Sequence, residues 1–522
     1  MTALDPAVGS LPTELVSRLQ ELLGTEAVLL EDEQVQEFQD PYWIPGDSTY
    51  RGSAVVLPAS TEQVQAVVRL ANEYDVPLST SSQGRNNGYG GASPRVGGSL
   101  QLSLRRMNRV LEIDDELAYA VVEPGVRWLD LHEALEAGGH RLRLSVPDIG
   151  WGSMVGNSLD NGVTYMANGQ DFSAACGMEV VLPDGELLRT GLGAQPGNPG
   201  WHVYKRGVGP VLDPLFMQSN LGIVTRMGVW LQPTPEAYQT LSLNIEHDTD
   251  LGAAVDAVRD LMLAGLVRGV PCFYGAPLNG TIIKDLPMQP GTAWTDEQLD
   301  DHGRETGLGR WSVRIALWDD PDVMAVKRAK ILQVWSRIPG SSVYEGPVYT
   351  PDQYGEITNQ TEKVQIGIPH LDLLDLFPPF VGHVEVSPVA PMKGDVVTEV
   401  VDIIRTTLVS NGFLAQIGIL AISARSAAVV TGINFDKTNE DMTKAALSVA
   451  HNLINELGEQ GYVPYRTHLH FMDDVAGHLS FNDGAYHRFL GKIKDAVDPR
   501  GILSPGRYGV WGSQGSERGN DR

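Results

Sequence analysis

Apolar positions along the chain follow helical spacing in some stretches and continuous or alternating strand spacing in others. Leu15, Leu19 and Leu22 recur at helical intervals and predict a short amphipathic helix. Residues 53–57 (SAVVL) read as a buried strand. Ser60 with Gln63 predicts a capping box at the head of a helix whose apolar face carries Val64, Val67, Val68 and Ala71. A second short strand is predicted at 77–81, so the N-terminal part opens strand, helix, strand. Strand-like runs recur at 109–113, 118–123 and 177–182, the last closed by a Pro183-Asp184-Gly185 turn, and 126–137 reads as helix. Between them, 83–92 and 146–162 are polar and glycine-rich and predict loops. The segment LQPTPEAY, ending at Tyr238, marks a domain boundary. Beyond it the spacing predicts helices at 251–263, 323–335, 395–410 and 439–457, strands at 383–388 and 427–435, and loop with a short helix over 280–308. That is the texture of an α+β second domain.

Composition narrows the classes of function. The 522 residues are too many for a single core, so two or more lobes are expected. No apolar run approaches the ~20 residues of a membrane span. Lys plus Arg is 39 and Asp plus Glu is 65, a net charge of −26. Such a chain lacks the basic footprint that nucleic acid or an anionic membrane surface requires. Cys176 and Cys272 are too few for a disulfide framework or a cysteine-rich metal site, and no metal is expected. The N-terminus carries neither a basic n-region nor an apolar h-region, which predicts a cytoplasmic location.

Familiar catalytic motifs are absent: no Walker A, no HExxH, no G-x-S-x-G, and no G-x-G-x-x-G after the first strand. The polar loops offer an alternative. Gly84-Arg85-Asn86-Asn87-Gly88-Tyr89-Gly90-Gly91 follows a strand and presents several backbone N–H groups, the kind of nest that cradles a pyrophosphate. Alone it reads more readily as a plain surface loop. A second stretch, Pro147-Asp148-Ile149-Gly150-Trp151-Gly152-Ser153-Met154-Val155-Gly156-Asn157, and a third, Gln218-Ser219-Asn220-Leu221-Gly222-Ile223-Val224-Thr225, make three backbone patches suited to one long ligand.

These residues carry a resemblance. NNGYGG at 86–91, VVEPG at 121–125, the stretch 147–157, EVVL at 179–182, the stretch 218–225, YRTH at 465–468 and the tail 498–511 resemble, in order, the vanillyl-alcohol oxidase and 4-cresol dehydrogenase family of flavoproteins. The resemblance implies an α+β fold with a two-subdomain FAD-binding domain in 1–235, a cap domain over the substrate in 236–464, and a segment, 465–522, that returns to the FAD domain and active site. It implies FAD contacts from Gly84, Arg85, Asn86, Asn87, Gly88, Pro147, Gly152, Ser153, Gly156, Asn157, Glu179, Gly222, Ile223 and Val224. Tyr89, Tyr465 and Arg466 stand at the positions of a phenolate-binding trio, and Asp148 at that of an active-site acid. His383 matches the residue that bonds FAD covalently, and Arg507, replacing a usual Lys, would stabilise negative charge on the reduced flavin.

The implied function is an FAD oxidase of para-substituted phenols. It would transfer hydride to flavin through a p-quinone methide, reduce O2 to H2O2 and work as a homodimer or larger homo-oligomer. Cytochrome-coupled relatives carry Tyr at the anchor, so His383 favours the oxidase over a 4-alkylphenol dehydrogenase. Hydroxy-acid or sugar oxidation, or a catalytically inactive flavin-binding protein, are opposed by the intact trio and Asp148. The chain departs from the family's pattern at 165–171, at Arg425-Ser426-Ala427-Ala428-Val429, at Pro379-Phe380-Val381-Gly382-His383, and at Trp43. The small Ala427 and Ala428 imply a reshaped pocket.

Overall fold

The computed structural model describes residues 11–167, 173–278 and 293–514. Its first helix, Thr13–Leu23, buries Leu15, Leu19 and Leu23, one stripe of an amphipathic cylinder. The next, Thr61–Glu73, begins where expected, with Ser60 Oγ accepting the Gln63 N–H at 3.3 Å. The reciprocal half of the predicted box differs: Gln63 Oε1 accepts from Ala59 N at 2.7 Å, one residue further back. Val64, Val67, Val68 and Ala71 are buried against a four-stranded sheet, each full valine burial contributing roughly 1.5–3 kcal/mol. That sheet runs in the order Val28–Leu29, Ala54–Val56, Leu100–Ser103, Leu78–Ser81. Ala54–Val56 and Leu78–Ser81 both lie parallel to Leu100–Ser103.

A second, antiparallel sheet of five strands follows: Val110–Asp114, Tyr119–Val122, Ile223–Trp230, Ala175–Val181 and Leu187–Arg189. The helix Trp128–Gly138 covers it with Trp128, Leu131 and Leu135. The stretch expected as pure loop at 146–162 contains a helix, Met154–Leu159, capped by Ser153 Oγ on the Gly156 N–H at 3.0 Å.

The third sheet has eight strands. Its main path is Ser342–Tyr349, Ala237–Ile245, Trp311–Asp319, Cys272–Gly275, Ile417–Ser423, Ser426–Asp436 and Val381–Val386; Val389–Pro391 also pairs with Ser426–Asp436. Only the runs at 383–388 and 427–435 were legible as strands in the sequence. The helices Leu251–Leu263, Pro321–Trp335, Gly394–Ser410 and Glu440–Glu459 all contribute side chains to its core, as do Phe273, Trp311, Trp335 and Phe435. Residues 280–292 of the predicted loop lie outside the described residues; the helix after them is Asp296–Thr306. Among the described residues no helix is long and apolar enough to cross a membrane, and no group of His, Cys, Asp and Glu could hold a metal ion.

The end of the chain returns to the first sheet. Leu78 N donates to Ile502 O at 2.8 Å and Ser504 N to Leu78 O at 2.7 Å. This return is pinned by Lys494, fully buried in the helix Phe481–Val497, which donates to Asn220 O and Leu503 O at 2.7 Å each and pairs with Asp498 at 2.7 Å. A buried cation so satisfied is costly to remove, because its partner stays behind in low dielectric. Lys494→Met should lose roughly 3–5 kcal/mol of unfolding free energy in denaturant titration; an unchanged midpoint would show that the pair does not hold the C-terminal segment in place.

Candidate active site

The glycine loops of the first two sheets, one face of the third and the returning C-terminal segment wall a single cavity of about 430 Å³. The loop after Leu78–Ser81 reaches it by a close backbone approach. At Gly88, φ is +78°, and an added Cβ would lie 2.7 Å from His383 Cδ2 and 2.9 Å from Glu385 Cγ. Only glycine adopts that conformation and leaves that space. Across the cavity wall Gly156 meets Ser82, whose Oγ would be 2.1 Å from a Cβ there.

Most of the residues singled out in the sequence line this cavity: Gly84, Arg85, Asn86, Asn87, Pro147, Gly152, Ser153, Gly156, Asn157, Gly222, Ile223, Val224 and Arg507, with Tyr89, Asp148, His383, Tyr465 and Arg466. Two do not. Gly88 lies behind the wall, packed under His383 and Glu385. Glu179, expected among the cofactor contacts, is a buried structural anion instead, paired with Arg189 at 2.9 Å and lying 3.9 Å from Arg226. It sits mid-strand in a sheet, where a buried carboxylate needs cations. Ala427 and Ala428 are buried in their sheet and do not line the cavity themselves; Leu420, the partner of Ala428 across the strand pair, and Val430 do. Of the divergent stretch 165–171, residues 168–171 lie outside the described residues, and Tyr165 lines the cavity.

Arg466 organises one part of the wall. Its guanidinium carbon stands 4.2 Å from the Tyr89 ring centre and 5.3 Å from that of Tyr465. Burial disfavours its charge, but Tyr465, Tyr89 and Asp160 outweigh that and hold the group cationic. Burial pushes the Tyr89 hydroxyl well above its ordinary range, with Arg466 opposing. Arg466 Nη1 donates to Asn157 Oδ1 at 3.4 Å. Trp43 does not touch this wall; it stacks 5.9 Å from His468, whose Nε2 lies 2.7 Å from Asp40.

Elsewhere on the wall, Asp148 accepts the Tyr165 hydroxyl at 2.5 Å. Burial raises its pKa, while that hydrogen bond, His370 and Arg314 pull it down. Tyr165 entered the sequence reading only as part of a divergent stretch, and its role was invisible there because the two residues meet through the fold. Asp160 was missed as well. Its Oδ1 accepts from Arg507 Nη2 at 3.0 Å and from the Tyr508 hydroxyl at 2.6 Å. Nothing local in the sequence marks an Asp as the counter-ion of an Arg 347 residues away.

His383 is a neutral imidazole at pH 7. Burial lowers its pKa to about 4, opposed by the Asp40 charge and a backbone contact from Asn87. Its Nδ1 is buried without a partner, as are Thr80 Oγ1, Asn86 Oδ1, Glu385 Oε2 and Arg466 Nε, all on residues that line the cavity. Native proteins leave few buried polar atoms unpaired, so this many around one cavity points to a polar ligand that belongs there. FAD fits: backbone-rich loops for its phosphates and an uncharged ring nitrogen on the opposite sheet.

Fold and site together define an FAD-dependent oxidoreductase. Residues 52–191 match the family model described as an FAD binding domain. The 4-cresol dehydrogenase [hydroxylating] flavoprotein subunit of Pseudomonas putida is 31% identical over 515 residues, 95% of each chain. The 1'-carboxy-chondrochloren decarboxylase of Chondromyces crocatus is 32% identical over 88% of this chain and 91% of its own. Among solved structures, the isoeugenol complex of 4-ethylphenol oxidase from Gulosibacter chungangensis superposes with a TM-score of 0.90 at 34% identity, covering 96% of this chain and 98% of that one. The chain belongs to the vanillyl-alcohol oxidase and p-cresol methylhydroxylase family of FAD enzymes, the flavin-dependent phenol oxidoreductases.

The site makes one prediction independent of any substrate. Burial raises the Glu385 carboxyl to about 7, with Arg466 opposing. A raised carboxyl is neutral below that pH and ionised above it. Infrared difference spectra should therefore show a protonated carboxyl C=O band that disappears around pH 7 and is absent in Glu385→Gln.

Proposed function

We propose that this protein is an FAD-dependent oxidase of para-substituted phenols: 4-hydroxybenzylic alcohols and 4-alkyl or 4-allyl phenols. The observation that carries the reading is Arg466 set 4.2 Å over Tyr89 and 5.3 Å from Tyr465, with its Nε buried and unpaired on the cavity wall. A free phenol has a pKa of ~10 and is neutral at pH 7, and an adjacent cation lowers an acid's pKa by roughly 1–3 units. Two tyrosine hydroxyls and a guanidinium would hold the resulting oxyanion. That oxyanion pushes electrons through the ring and makes hydride loss from the para benzylic carbon feasible, leaving a p-quinone methide. FAD supplies the hydride acceptor.

Asp148 is the general base of the next step. When water adds to the quinone methide, its oxygen bonds the benzylic carbon, one proton passes to Asp148, and the ring oxygen regains its charge. The Tyr165 hydroxyl steadies the ionised carboxylate against the burial that disfavours it. His383 would hold FAD covalently, and Arg507, balanced by Asp160, would face negative charge on the reduced ring. The distribution of the three sheets supports an FAD domain in 1–235, a cap in 236–464 and a returning segment from 465. Among the relatives are both a dehydrogenase and an oxidase. The histidine at the anchor position supports oxygen as the acceptor.

Anaerobic mixing with 4-ethylphenol should bleach the flavin, and the 4-O-methyl ether should not. Arg466→Ala should slow bleaching by about 10²-fold or more, the scale of a lost transition-state electrostatic donor, while FAD stays bound. In air, peroxide should form one-for-one with product; slow reoxidation in air with fast turnover on a dye acceptor would move the protein to the dehydrogenase branch. Acid precipitation should give a yellow pellet from the wild type and a colourless one from His383→Ala.

A further inference from the structure

Glu385 lines the same cavity and takes no part in the chemistry above. It lies two residues after His383 on the strand Val381–Val386, so both side chains leave the same face of the sheet. Two glycines make room for it. Gly88 presses against its Cγ, and Gly432, its partner across the strand pair, would bring a Cβ to 3.0 Å from Oε1. Its Oε1 stands 3.6 Å from His383 Nε2, beyond hydrogen-bond length, and its Oε2 is buried with no partner. The charged and titratable groups around it are His383, Arg466, Tyr89 and Tyr42. None gives it a hydrogen bond of its own. A buried carboxyl left unpaired is costly, so a wall that keeps one is shaped for a donor brought by the ligand.

The position of the carboxyl restricts which donor that is. Arg466 and Tyr89, the groups that would hold the phenolic oxygen, both sense the charge of Glu385. A carboxylate directly on a phenolate oxygen would repel it. A hydroxyl on the neighbouring ring carbon avoids that repulsion and carries the proton that Oε2 lacks. We propose that Glu385 selects substrates with a hydrogen-bond donor ortho to the phenolic oxygen, 4-alkylcatechols above all. The inference rests on the phenol-oxidising reading of the site. Arg466 takes one ring oxygen and Glu385 the other, through a charge-assisted O–H to carboxylate bond. A simple phenol leaves the carboxyl unpaired, and an ortho-methoxy group has no proton to give. Sites built around a hydrogen bond reject analogues that lack it more strongly than apolar pockets reject a missing methyl group.

The test uses the FAD-loaded protein and two independent readouts. Binding of catechol, phenol and 2-methoxyphenol, which have no para benzylic hydrogen to lose, is followed by the change in flavin absorbance. Reduction is followed anaerobically with 4-ethylcatechol and 4-ethylphenol. The wild type should bind catechol at least about tenfold more tightly than either competitor, and Glu385→Leu should erase or invert that preference without weakening phenol. Glu385→Gln keeps the volume, and should lose at least about threefold of the preference even if the leucine variant does not fold. A wild-type ratio near one, or a preference that survives both substitutions, overturns the proposal. Catechol preference without flavin reduction by either ethyl compound would instead overturn phenol oxidation and leave the Glu385 contact standing.

Discussion

The approach of Gly88 to the strand Val381–Val386 is the constraint on which the site depends. Its φ of +78° and the 2.7 Å that would separate a Cβ from the His383 ring leave room for no other residue. That contact sets the glycine loop of the FAD domain against the sheet that carries His383 and Glu385, and it fixes Tyr89, the next residue, beside Arg466. A side chain at 88 would push the loop away from His383 and Glu385 and open the cavity there.

Charge is then distributed around that contact so that each buried ion has a defined counterpart. Asp160 holds Arg507 and also supports the charge on Arg466. Tyr165 holds Asp148. Lys494 and Asp498 neutralise each other where the chain re-enters the first sheet. The Glu385 Oε2 atom is buried with no partner in the chain, which is why that carboxyl reads as a ligand contact.

Relatives that cover nearly the whole chain carry the names of a dehydrogenase, a decarboxylase and an oxidase. One scaffold thus serves different outcomes, and fold alone cannot choose among them. The choice falls to the few groups that touch the reacting atoms: what accepts a proton near the benzylic carbon, what borders the phenolic oxygen, and what bonds the flavin. In this chain the groups we propose for those roles are Asp148 with Tyr165, Arg466 with Glu385, and His383.

Local order was written in the sequence. The helices Thr61–Glu73, Leu251–Leu263 and Gly394–Ser410 follow from apolar spacing, the first also from its Ser60 cap, and the glycine loops stand out by composition. Strands such as Trp311–Asp319 and Ala237–Ile245 were not legible, since both their faces are buried and alternation, the signal of a half-buried strand, disappears. Pairings made only through the fold were equally silent: Tyr165 with Asp148, Asp160 with Arg507, Glu385 in the space left by Gly88 and Gly432. Ordered motifs carried by the sequence sufficed for the family and its cofactor. Which carboxyls are paired, which is left free, and which alanines never reach the pocket were decided only by the tertiary structure, because desolvation and charge pairing depend on what the fold brings within a few ångströms.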